Sequence, residues 1–155
     1  GAGLGTLRGG LGPSGSLVER YRTPRPRIEA GARLAPLVSA MMDVSDGLLI
    51  DADRMAAASG CGLTIELDAV PLSEPLLALL GDGRETRLAA AAAGDDYELL
   101  FAADPAQAPV ILALAEEIGL PLSRIGRFES GHGIALADPG GTVELPERLG
   151  FEHRR

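Results

Sequence analysis

Apolar positions along the chain follow two periods. Residues 37–44 form an apolar run of strand length. From 47 to 59, Leu48, Leu49, Ala52, Met55 and Ala56 fall on one helical face, with Asp51, Asp53 and Arg54 on the other. Gly60 and Gly62 stop that helix, and residues 63–67 alternate as a strand. Ser73 is placed to cap a short helix through residue 80, and five alanines favour helix over 84–93. A buried strand follows over 97–102. Asp104-Pro105 then gives an N-cap with proline at the first helical position, opening a helix to 118 that Gly119 ends. Strands are expected at 122–128, 133–137 and 142–145, with Asp138-Pro139-Gly140-Gly141 as the turn of a closing hairpin. This order predicts an α+β fold, a mixed α/β sheet with helices packed on it.

The first 36 residues have a different character. Residues 1–15 are glycine-rich and pack weakly, and Pro24 and Pro26 hold residues 21–27 extended as an arm. A short helix over 27–34 precedes Pro36. The division expected is therefore a Gly/Pro-rich remnant and linker over 1–36 and a globular domain over 37–155. The chain does not begin with Met, so a larger parent protein is expected.

Composition narrows the function classes. Aromatics are only 3% of a chain that is 46% hydrophobic, so aliphatic side chains must fill the core. The net charge of −8 argues against nucleic acid or an anionic membrane as partner. No apolar run approaches the ~18 residues of a membrane span. Cys61 is the single cysteine, which rules out an intramolecular disulfide and points to a reducing cytoplasm. His132 and His153 are too few for a zinc cage. All 14 basic residues are arginine, so neither a P-loop lysine nor a Schiff-base lysine is available in this chain. An acidic protein binds an anionic nucleotide through divalent cations.

Three stretches could carry chemistry. In Asp43-Val44-Ser45-Asp46-Gly47-Leu48 a strand gives way to a helix within three residues, the kind of junction where α/β sheets bind ligands. Asp43 and Asp46 would repel each other unless a cation relieved them, and Mg²⁺ favours one or two carboxylates together with phosphate oxygens. From spacing alone, Ser45 or Asp46 as a helix cap is the commoner role. Capping leaves Asp43 unexplained. In Gly94-Asp95-Asp96-Tyr97-Glu98-Leu99 a helix stops and two acids precede a strand. In extended chain these acids would face opposite ways and serve different partners, whereas Tyr97-Glu98 reads as structural. The tail Gly150-Phe151-Glu152-His153-Arg154-Arg155 holds an aromatic that could stack on a flat heterocycle or dock on its own domain.

Together the two hexapeptides resemble those of thiamine-monophosphate kinases, whose usual forms are D-[IV]-S-D-G-L and G-[ED]-D-Y-E-L. Glu19-Arg20-Tyr21, Pro24 to Arg27, Leu72-Ser73, Ile125-Gly126 and Gly150 to His153 support the match. Ala93 departs from it, standing where a second glycine is usual, as does the Arg154-Arg155 ending. The resemblance implies the C-terminal domain of an aminoimidazole ribonucleotide synthetase-like enzyme. That enzyme would phosphorylate thiamine monophosphate to thiamine diphosphate with ATP and Mg²⁺, as a homodimer. It implies Asp43 and Asp46 as metal ligands, Ser45 as an ATP contact, and Asp95 and Phe151 as substrate contacts. An N-terminal ATP-binding domain would be missing, leaving this chain inactive alone. The alternatives are another ATP-dependent synthetase or kinase of the superfamily, or a non-catalytic binding domain.

Overall fold

The structure, a computed structural model, describes residues 15–151. Helices α1 (Gly15–Arg22) and α2 (Ile28–Leu34) lead into strand β1 (Ala40–Val44) and helix α3 (Leu48–Ser59). Strand β2 (Gly62–Glu66), helices α4 (Glu74–Leu80) and α5 (Arg84–Ala91), strand β3 (Glu98–Ala102) and helix α6 (Ala108–Ile118) follow. Strands β4 (Gly126–Glu129), β5 (Gly133–Asp138) and β6 (Gly141–Val143) close the fold. The α+β reading holds, but the strands form two sheets. One is the antiparallel pair β1–β3. The other runs β4-β2-β5-β6, with β2 and β5 parallel and the remaining pairs antiparallel.

Alternation along β1 and β3 explains the layering. Ala40, Met42, Val44, Leu100 and Ala102 face a core that also takes Leu49, Ala52, Met55 and Ala56 of α3 and Leu63, Ile65, Leu136 and Val143 of the larger sheet. Met41, Leu99 and Phe101 face the other way, onto Leu34, Ile111 and Leu114. The small sheet thus packs against apolar side chains on both faces, which is why its sequence reads as an apolar run. Leu34, at the end of α2, is fully buried in the second core. The N-terminal arm is partly helical, and Tyr21 and Arg22 lie in the last turn of α1.

Local differences from the sequence reading have physical causes. Ser73 precedes α4 without a side-chain cap; its carbonyl accepts the Leu76 and Leu77 N–H groups instead. The strand expected from 122 pairs only from Gly126, while Ile125 offers its carbonyl to Glu66 N–H at 2.8 Å. Asp104 caps as expected, accepting from Ala106 N–H at 2.8 Å, but the turn it opens is 3-10 until α6 begins at Ala108. Gly60 and Gly119 end α3 and α6 in left-handed conformation. No helix among the described residues is long and apolar enough to cross a membrane.

Candidate active site

Antiparallel pairing of β1 with β3 places Val44 opposite Glu98. The chain leaving β1 and the chain entering β3 therefore meet at one edge. Tyr97 N–H donates to the Val44 carbonyl and Asp95 N–H to the Ser45 carbonyl, both at 2.8 Å. Phe151 N–H donates to the Asp46 carbonyl, also at 2.8 Å. All three stretches singled out in the sequence converge on residues 44–46, joined by backbone hydrogen bonds.

Such close approach requires glycines. A Cβ on Gly94 would stand 2.8 Å from Ser45 O and 3.2 Å from Asp46 O, and one on Gly150 would lie 2.6 Å from Asp46 O. Gly47 has φ +131° and faces the Ala92 carbonyl at 3.1 Å from its would-be Cβ. Its conformation and its surroundings both exclude a side chain.

Asp51 holds the first loop from below. Its side chain is 1% exposed, and its Oδ2 accepts the Ser45 and Asp46 N–H groups at 2.9 and 3.0 Å. Its Oδ1 accepts from Arg54 Nη1 at 2.7 Å, and the same nitrogen reaches Asp46 Oδ2 at 2.6 Å. The hydrogen bond to Asp46, then that to Asp51, raises the Arg54 pKa above its ordinary value. The assignment of Asp51 to the polar face is thus corrected. It lies three residues after Leu48 and four before Met55, inside the apolar stripe, and it is buried there because it satisfies backbone donors. Helix capping by Ser45 or Asp46 is also absent. The N-cap position is Gly47 and makes no side-chain bond.

The second motif is not extended throughout. Asp95 and Tyr97 have φ of +67° and +53°, left-handed positions that side chains occupy only when surrounding contacts hold them. The Asp95 and Tyr97 N–H bonds to β1 are those contacts. Glu98 is held in ion pairs with the N-terminal arm. Arg27 Nε and Nη2 grip it bidentately, both at 2.9 Å, and Arg20 adds a further contact, so it fastens the N-terminal arm to β3.

Asp96 keeps a solvent-exposed edge, yet the protein around it removes hydration and Glu98 adds like charge, raising its carboxyl to about 6. A raised carboxyl pKa disfavours the ionised form in the fold. The cost is nil below the ordinary 3.8 and complete above about 6. Asp96→Asn should therefore be more stable than the parent at pH 7 and equal to it near pH 3, in thermal melts across that range. A constant difference would remove the titration from the explanation.

Asp43 is exposed at the end of β1 and makes no ion pair among the described residues. Asp46 is shared with Arg54. No three His, Cys, Asp or Glu groups form a metal cage among the described residues. The hard oxygen donors of one short loop fit Mg²⁺ as part of a coordination shell, since that ion takes few protein carboxylates and completes its shell with phosphate and water. Phe151 is 59% exposed at the same edge; His153 lies outside the described residues. A separate depression of about 340 Å³ lies between Asp68, Arg84, Arg87 and Asp138 and is lined by none of the motif residues.

Residues 1–138 match the family of AIR synthase related proteins, C-terminal domain. The chain belongs to this family. Within it, the chain is 38% identical over 142 residues to the thiamine-monophosphate kinase of Caulobacter vibrioides, covering 90% of this chain and 40% of that protein. The crystal structure of thiamine-monophosphate kinase from Stenotrophomonas maltophilia superposes with a TM-score of 0.79 at 37% identity, over 92% of this chain and 47% of that one. AaThiL complexed with AMPPCP and TMP gives 0.72 at 29% identity, over 96% and 46%. The chain spans less than half the length of these relatives.

Proposed function

We propose that this chain carries one half of the site of a cytoplasmic, homodimeric kinase that transfers a phosphoryl group from ATP to thiamine monophosphate, giving thiamine diphosphate. The observation that carries this reading is the joining of residues 44–46, 95–97 and 151 by backbone hydrogen bonds. Residues far apart in sequence are held as one unit whose carboxylates are free of capping duty. The similarity to named kinases, and to a neighbour complexed with AMPPCP and TMP, supports the substrate pair.

In this reading Asp43 and Asp46 hold Mg²⁺, which when bound neutralises phosphate charge. Ser45 contacts ATP between them. Asp95, fixed in its left-handed conformation, orients the thiamine phosphate, and Phe151 borders the vitamin. Transfer between two anions depends on positioning and charge neutralisation, and this chain supplies a rigid loop for the first and carboxylates for the second. The remaining nucleotide contacts belong to the length of the kinases that this chain does not span.

In a protein containing both halves, Asp43→Asn should lower turnover and raise the Mg²⁺ requirement by at least about tenfold, the scale on which metal sites respond to altered ligation. Turnover measured against Mg²⁺ concentration checks this. An unchanged Mg²⁺ dependence would take Asp43 out of the site. Assaying the chain with ATP, Mg²⁺ and thiamine monophosphate tests the other half of the reading, because turnover by this chain alone would contradict it.

A further inference from the structure

We infer that Arg54 is a tethered counter-ion of Asp46, which a divalent cation must displace and which Asp51 retains. The inference rests on the metal reading of Asp43 and Asp46 given above.

One nitrogen, Arg54 Nη1, bridges two carboxylates of unlike character. Asp51 is 1% exposed, and Asp46 is 19% exposed at the loop surface. The Asp51 contact comes from the first turn of the same helix, three residues before Arg54, and Asp51 is itself locked by two backbone donors. The Asp46 contact crosses from the helix to the loop. A cation arriving at Asp46 therefore meets one fixed and one releasable bond. Breaking the Asp46 bond costs little, because Arg54 is half exposed and water replaces the lost acceptor. Breaking the Asp51 bond would leave a buried carboxylate short of its counter-charge. Arg54 consequently stays beside the loop after release, and its positive charge opposes the incoming ion. Before loading, Arg54 offsets part of the negative charge of Asp46 and Asp51, and the affinity of the loop for metal is held down.

The test is titration with Mn²⁺ of a protein containing both halves, in the presence of AMPPCP, following the free ion by electron paramagnetic resonance. Circular dichroism reports whether each variant is folded. Arg54→Gln should bind Mn²⁺ about fivefold more tightly than the parent, the ratio given by the upper end of exposed ion-pair strength. Arg54→Lys, which keeps the charge, should stay within about twofold. Asp43→Asn should weaken binding. If Asp43→Asn weakens binding but Arg54→Gln does not strengthen it, the counter-ion role is wrong and the metal reading survives. If Asp43→Asn has no effect, or no protein binds Mn²⁺, the metal reading fails and this inference goes with it. The parent protein gives a second readout that needs no substitution. Mg²⁺ should shift the Arg54 guanidinium proton resonance as the loop loads, and a resonance that stays fixed at saturation overturns the role.

Discussion

Asp51→Ala is expected to destabilise the fold by about 2–4 kcal/mol, because two backbone N–H groups are left without an acceptor at about 1–3 kcal/mol each. The N–H groups of Ser45 and Asp46 lose their acceptor at once, while the Arg54 guanidinium loses one of two and keeps Asp46. The two backbone N–H groups face protein, so their loss is not made good by water. Asp51→Asn keeps an acceptor oxygen for the N–H groups but turns an amide donor or a neutral oxygen towards Arg54, and should fall between parent and alanine. Urea unfolding gives the size. Hydrogen exchange gives the place, because only the Ser45 and Asp46 amides should quicken beyond the global loss. A cost below about 1 kcal/mol would show that the loop is held by its neighbours and not by Asp51.

Gly94→Val should separate the two motifs. The first atom beyond Cα would stand 2.8 Å from the Ser45 carbonyl oxygen and 3.2 Å from the Asp46 carbonyl, and backbone on both sides cannot rotate away as a side chain tip would. Overpacking of this kind costs about 1–3 kcal/mol. The functional loss should be larger than the stability loss, because the Asp95 N–H bond to Ser45 O is the element displaced. Gly83→Ala is the control. A Cβ there meets nothing within 4 Å, and φ is −100°, so stability should change by less than about 0.5 kcal/mol. Substrate binding by Gly94→Val equal to that of the parent, in a protein containing both halves, would mean that the docking of the loops does not position Asp95.

These two residues also mark the limit of what was legible in the sequence. The helical stripe from Leu48 to Ala56, the stops at Gly60 and Gly119 and the cap at Asp104 follow from local rules, because periodicity and left-handed glycine need only near neighbours. Asp51 was misplaced because a carboxylate on a helix usually faces water. Its burial depends on backbone donors in a loop that the pattern cannot place. The same holds for Asp95 and Tyr97. Adjacent acids before a strand suggest extended chain, and only the bonds to β1 explain their positive φ. The division into two sheets escaped as well, since the order of strands along the chain does not say which of them pair. Asp43, Ser45, Asp46, Asp95 and Phe151 were legible as candidates through their motifs. That their backbones interlock is a property of the fold.

The β1–β3 pairing carries a consequence for how such chains diverge. About fifty residues separate the two motifs in sequence, yet Val44 and Glu98 are opposite partners on one ladder. Everything from α3 to α5 is an excursion that leaves this rung and returns to it. Lengthening the exposed 81–83 turn leaves the rung untouched, whereas a one-residue slip between β1 and β3 would carry Asp95 away from Ser45 and turn Val44 out of the core. Relatives are therefore free to differ in the distance between the motifs, and bound to agree in their register.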